Sequence, residues 1–375
     1  MDNINILDFE INSCLGDLEN TLNEIEKGSV STSFKTIEIE NEVKQIPFFS
    51  LKDEVKQNQD DIYKVLKSLL LKIVKNIEEN RRKSTALIIG TSLIDWHLVD
   101  AINNCAYEHK KTPYSSNKYS IDFYAKELSL EFGLNEFTMT INTACTSSAN
   151  ALLEAKNLIN AEIVDSVIVV GLEIFSPVMS SGFYSMELIS NTKVKPFDVN
   201  RDGLILGESV SAIVLGKDES LWTLEGGFSN CNSQTITGIS QSGEECVEVM
   251  NEALKNCNLE AKDIRALKAH GTGSYSNDLS EINAISKVFD TSITFTALKP
   301  YIGHTIGASG VSEIVLLMGA INRGFLPKTL NTSESILKNY TPIKEPEECK
   351  SGIFMCNYFG FGGNNTSLII KKELK

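Results

Sequence analysis

Eight cysteines occur in 375 residues, yet no two stand in a C-x-x-C pair, so a zinc ribbon is excluded. No positively charged start precedes an apolar run, which gives no secretory signal and predicts reduced thiols and a cytoplasmic location. Long hydrophobic runs are missing too. The longest, such as residues 167–172, fall far short of the roughly 20 residues a membrane span needs. Basic residues are the minority, 35 against 49 acidic for a net charge of −14, and this disfavours general nucleic-acid binding. No low-complexity tract or long linker breaks the chain. With 42% hydrophobic residues, it can bury one large core.

Histidine is scarce, with only four in the chain. His97 and His109 have no motif around them. His270 stands in Lys268-Ala269-His270-Gly271-Thr272-Gly273, at the end of the extended run 264–269. His304 stands in Gly303-His304-Thr305-Ile306-Gly307, where the run 293–297 gives way to a helix. A third reactive group, Cys145, joins the extended stretch 137–141 to a helix opening on Thr143-Ala144-Cys145-Thr146-Ser147-Ser148. Strand, sharp turn, nucleophile and helix is the elbow order, which exposes a reactive atom and turns backbone N–H groups toward its target. A free thiol titrates at about 8.5, and a helix N-terminus lowers that by about 0.7 to 1.5 units. Roughly a third would then be thiolate at neutral pH, so a second group must assist. An inert buried thiol is the commonest fate of a cysteine; for the other seven that reading stands. A lone histidine defaults to a satisfied core residue, but Gly271 and Gly303 mark sharp turns that admit a substrate to the backbone. A Cys-His-His zinc site lacks a fourth ligand at close spacing.

Short β-branched runs alternate with helical stretches in two series, 86–89, 166–170 and 210–215, then 222–225, 264–269, 293–297, 352–356 and 366–371. This predicts an α/β protein with helices between and outside its sheets. The boundary falls near 216–218, giving units 1–216, with the nucleophile, and 217–375, with both histidines. Apolar residues recur at helical spacing over 62–77 and predict a core-packed helix.

Five segments together resemble the β-ketoacyl-acyl-carrier-protein synthases of the thiolase fold, the elongating type with a Cys-His-His site. They are residues 142–147, residues 195–208, Ala269-His270-Gly271-Thr272, Lys299 through Gly303-His304, and Asn357-Tyr358-Phe359-Gly360-Phe361-Gly362-Gly363-Asn364-Asn365. The resemblance implies a five-layered α-β-α-β-α sandwich of two similar halves. It implies condensation of an acyl group on Cys145 with malonyl-acyl carrier protein, His270 and His304 holding the thioester oxygen of the enolate. The backbone N–H groups of Cys145 and Phe361 would form the oxyanion hole, with Phe361 as a gating aromatic.

By the same resemblance Lys299 is the active-site lysine and Glu281 its buried carboxylate partner, while Thr272 and Ser274 bind the pantetheine arm. Asp278 and Glu281 also have the spacing of a capping box. No resident cofactor or metal is implied, since phosphopantetheine travels on the carrier protein. The implied partners are an acyl carrier protein and a second ketosynthase-fold subunit, as a homodimer or a heterodimer with a chain-length factor. An acidic carrier must then dock on a local basic patch; Lys193, Lys195 and Arg201, or Arg81, Arg82 and Lys83, are candidates. The abbreviated N-terminal region favours a secondary pathway such as aryl polyene synthesis. A non-catalytic chain-length factor usually lacks the nucleophile that Cys145 supplies. Initiating synthases resemble a Cys-His-Asn site, and thiolases carry a second catalytic cysteine in a turn unlike that of Cys356.

Overall fold

The computed structural model describes residues 4–56, 58–93, 122–231 and 240–374; His97, Cys105 and His109 lie outside them. Ten strands build two arrays of five. The first holds β1 (Asn5–Ser13), β2 (Thr85–Thr91), β3 (Thr138–Ile141), β4 (Ser166–Glu173) and β5 (Ser209–Gly216) in the order β3-β2-β4-β5-β1. The second holds β6 (Trp222–Cys231), β7 (Ile264–Lys268), β8 (Phe295–Thr296), β9 (Gly352–Phe359) and β10 (Asn364–Lys372) in the order β8-β7-β9-β10-β6. The two arrays share one pattern of strand directions. The β2/β3, β2/β4, β7/β8 and β7/β9 pairs are parallel, and β4/β5, β5/β1, β9/β10 and β10/β6 are antiparallel. Among the described residues the arrays pair with each other at one corner, where Asn5 faces Thr223 and Ile6 faces Trp222.

Helices fill the space between and around them. On the outside of the first array lie α1 (Gln59–Val74) and α2 (Phe123–Phe132). The Asn58 side chain caps α1 by accepting from the Asp61 N–H, and Ile62, Leu66, Leu69, Leu70, Ile73 and Val74 are buried; the stripe read from the sequence is therefore core. Between the arrays lie α3 (Ser147–Asn160) and, later in the chain, a helix of matching position, Ser309–Asn322. The outer face of the second array is covered by α4 (Glu244–Asn256) and α5 (Tyr275–Val288), and Ser309–Asn322 is α6. Covered on both faces, β2, β4 and β5 are buried at every residue, which explains their unbroken apolar runs.

The two central helices cross in close contact. A Cβ added at Gly310 would lie 2.1 Å from the Ala149 backbone nitrogen, a position no side chain can yield. Gly310→Ala should therefore cost about 3 kcal/mol, the upper end of overpacking penalties. Urea unfolding measures it, and an unchanged midpoint would mean that the helices part freely.

Candidate active site

Cys145 and His304 hang from equivalent places in the two arrays. Cys145 follows β3 and leads into α3; His304 follows β8 and leads into α6. The turn at Cys145 is left-handed at Ala144, φ 52°, and Ser147 staples it. The Thr143 N–H donates to Ser147 Oγ (2.9 Å), and that hydroxyl donates to the Ala144 carbonyl (2.6 Å). The helix begins at Ser147, two residues beyond the nucleophile. At His304, the backbone N–H donates to the Ile205 carbonyl (2.7 Å) and the carbonyl accepts from the Gly207 N–H (3.0 Å). This brings His304 Nε2 to 3.1 Å from the Cys145 sulfur. The Nδ1 atom of the same ring lies 3.3 Å from Ser309 Oγ.

His270 emerges at the end of β7, its ring centroid 5.3 Å from that of His304 and nearly perpendicular to it. Glu281 on α5 holds the turn by accepting from the N–H groups of His270 (2.7 Å) and Gly271 (2.8 Å). Lys299 donates to the His270 carbonyl (2.7 Å) and to Nδ1 (3.2 Å). An ammonium offers only donors, so Nδ1 accepts and the ring proton sits on Nε2. That Nε2 is buried and has no hydrogen-bond partner among the described residues. It is a donor kept free for something else.

Two of the expectations change here. The carboxylate partner of Lys299 is Glu313, at 2.6 Å, rather than Glu281; Glu281 is committed to backbone N–H groups and holds the His270 turn. Nor do Asp278 and Glu281 cap a helix. α5 starts at Tyr275, and Asp278 instead accepts from Phe197 N (2.6 Å) and Gly273 N (3.1 Å). Glu313 also binds Lys268, at 2.5 Å, and neither it nor Lys268 was singled out as a partner from the sequence. One signal was there: Glu313 is the sole charged residue in α6.

The electrostatics also differ from the thiol, about a third ionised, that the helix dipole alone predicts. Burial pushes the Cys145 thiol up to about 11, against the opposing pull of the Phe361 N–H and the Lys299 charge. Desolvation outweighs the helix, whose first turn the sulfur does not enter. Burial first, and then the Lys299 and Lys268 charges, hold both imidazoles well below their usual range, so they stay neutral. Iodoacetamide should accordingly alkylate Cys145 slowly at neutral pH, with a rate still climbing past about pH 9.5, where a free thiol of pKa about 8.5 has levelled off. Peptide mass mapping across pH would read this; an early plateau would mean a thiolate–imidazolium pair.

The Phe361 loop closes the other side. Gly360 lies so near that an added Cβ would stand 3.3 Å from the Cys145 nitrogen, which lets the Phe361 N–H face the sulfur. The Phe361 ring packs on Phe183 at 5.5 Å, within an apolar cluster of Ile189, Leu204, Leu206, Ile306 and Cys145. Thr272 and Ser274 are buried, their hydroxyls 2.9 Å apart. Lys195 and Arg201 lie on the loop that meets the Gly273 turn, Lys195 paired with Asp202 at 3.1 Å and Arg201 bound to the Tyr275 carbonyl at 2.9 Å; Lys193 is exposed. Arg81, Arg82 and Lys83 precede β2, whose parallel neighbour β3 delivers Cys145 from its far end. These three therefore sit at the opposite end of the array from the thiol.

The family descriptions "Beta-ketoacyl synthase, N-terminal domain" and "Beta-ketoacyl synthase, C-terminal domain" match residues 65–220 and 222–333. The chain belongs to the β-ketoacyl synthase family. Among relatives of this synthase is a mitochondrial protein of Schizosaccharomyces pombe assigned by name to the 3-oxoacyl-[acyl-carrier-protein] synthases. It is 29% identical over 332 residues, 80% of this chain and 77% of the relative. The chloroplastic 3-oxoacyl-[acyl-carrier-protein] synthase I of Arabidopsis thaliana is 29% identical over 258 residues, 64% of this chain and 54% of the relative; the synthase thus spans about half its length. A chain of the Xenorhabdus doucetiae complex of the ketosynthase ApeO with its chain length factor ApeC shares the fold, with TM-score 0.85 and 23% identity over 99% of this chain and 98% of that one. No helix among the described residues is long and apolar enough to cross a membrane.

Proposed function

We propose that this synthase elongates an acyl chain by decarboxylative condensation with malonyl-acyl carrier protein, in fatty acid or type II polyketide synthesis. The observation that carries the reading is the free His270 Nε2–H beside a His304 Nε2 in contact with the Cys145 thiol. In the first half-reaction the Cys145 proton passes to His304 Nε2, the sulfur attacks the acyl thioester, and the departing pantetheine sulfur takes the proton. Ser309 Oγ can accept from His304 Nδ1 or donate to it, so the ring can take a proton from sulfur first and present an Nε2–H later.

In the second half-reaction both Nε2–H groups bind the malonyl thioester oxygen, stabilise the enolate left when carbon dioxide departs, and cost no reorganisation. The enolate carbon attacks the Cys145 acyl carbonyl. Its oxyanion lies against the Cys145 and Phe361 N–H groups, the thioester bond to sulfur then breaks, and the sulfur takes up a proton from solvent to restore the thiol. Lys299 orients His270 and Glu281 holds its turn, Thr272 and Ser274 receive the pantetheine arm, and Phe361 gates the apolar cluster. No resident cofactor is needed, because phosphopantetheine arrives on the carrier.

The partners we infer are an acyl carrier protein, met on the Lys193–Arg201 side, and a second subunit of the same fold, this chain again or a chain-length factor. The solved complex of a ketosynthase with a chain length factor supports the latter, and with it a secondary, aryl polyene-like pathway. The cytoplasm is the expected compartment. Intact-mass analysis tests the whole reading. Acylated carrier protein should leave an acyl adduct on the enzyme, and malonyl-carrier protein should then release it as a β-ketoacyl carrier with carbon dioxide. Neither adduct nor longer product with a range of acyl carriers would overturn it.

A further inference from the structure

Lys268 has no part in the steps above, yet it is fully buried beside them. Its ammonium donates to Glu313 Oε2 (2.5 Å) and to the Asn357 carbonyl (2.7 Å), and it lies 3.6 Å from the centre of the Tyr358 ring. Glu313 gives its other oxygen to Lys299 at 2.6 Å. One carboxylate thus bridges two lysines, and all three side chains are at 0% exposure.

A pair of one lysine and one carboxylate would already be neutral, so the second lysine adds a net buried positive charge that packing alone does not explain. Desolvating an ion costs several kcal/mol unless its partners are good. Each contact of Lys268 is of a kind that retains a cation: a carboxylate, a carbonyl and an aromatic face.

What the extra charge fixes is visible in the connections. Without Lys268, Glu313 Oε2 and the Asn357 carbonyl would lose their ammonium donor, and the carboxylate could turn about its own axis. Lys299 would follow it. Lys299 is the group that sets the His270 tautomer, and Asn357 lies on β9, four residues before Phe361. Lys268 itself is two residues from His270. It therefore ties β7, α6 and β9 together directly behind the donor that faces the substrate.

We propose that Lys268 is a positioning residue for the decarboxylation and condensation half-reaction, acting through Glu313 and Lys299 to hold the His270 Nε2–H in place. This rests on the ketosynthase reading, so the wild-type enzyme is assayed first for Cys145 acylation, carbon dioxide release and product. If wild type fails these, it is the ketosynthase reading that falls.

With wild type active, Lys268→Met keeps the length and removes the charge and both hydrogen bonds. Carbon dioxide release and condensation should fall about 10- to 100-fold in kcat, the usual loss when an orienting partner is removed, with KM for malonyl-carrier protein and the rate of Cys145 acylation little changed. Lys268→Gln, which can still donate to Glu313, should lie between the two. Full condensation by Lys268→Met would overturn the proposal. So would an equal fall in acylation and condensation, since that is what a general loosening of the fold produces. Should Lys268→Met not fold, the same comparison on Lys268→Gln decides, with selective loss supporting the proposal and uniform loss or none overturning it.

Discussion

Cys145→Ala is expected to abolish acyl-enzyme formation and lower condensation by at least about 10³-fold, the scale on which loss of a nucleophile is felt, while still releasing carbon dioxide from malonyl-carrier protein. The two activities part because the groups that serve them are physically separate. The sulfur is the only atom that the variant removes. His270 keeps its Nε2–H, since the tautomer is set from the other side of the ring by Lys299; His304 keeps its backbone anchors at Ile205 and Gly207. His270→Ala should give the reverse pattern, with an acyl adduct on Cys145 by intact mass but little carbon dioxide. Parallel loss of both activities in both variants would mean that the thiol and the imidazoles do not divide the reaction this way.

Replacing Glu313 with leucine should be the most destabilising change at the site. The variant leaves two ammonium groups buried without their anion, and breaking a buried pair on one side costs about 3–5 kcal/mol. Burial already pulls Lys268 below the usual lysine range with Glu313 present, and without it the depression must deepen. A group with a depressed folded-state pKa of this kind sheds its proton on folding. The unfolded chain then binds more protons, so the stability of the variant rises with pH toward the ordinary lysine value of about 10.4. Thermal melts of Glu313→Leu between neutral and alkaline pH should show that rise. A melting point equal to wild type at neutral pH would place the charge elsewhere.

The sequence carried the reacting atoms because each sits in a short turn at a strand end, marked by glycine at His270 and His304 and by the passage from strand to helix at Cys145, local patterns that need no knowledge of the fold. Cys145, His270 and His304 were legible on those grounds, and the Phe361 loop on its glycines. Partners drawn from distant helices were not. Glu281 and Glu313 are both buried helical carboxylates, and only the stacking of α5 and α6 against opposite faces of the second array decides which reaches Lys299. A basic cluster such as Arg81, Arg82 and Lys83 carries no sign in itself of which end of a strand it occupies. Strand direction assigns it to the end away from the thiol. The thiol's protonation is not legible from the helix that follows it, because burial raises it by more than a dipole whose helix starts two residues later can lower it.

The contact between Ala149 and Gly310 has a meaning beyond packing. One helix begins just after the sulfur and the other just after the imidazole that touches it, so the separation of these two rods is the gauge that sets the proton-transfer distance. A bulky residue inserted at their crossing would spread the reacting pair from within the core, without altering any atom that a substrate meets.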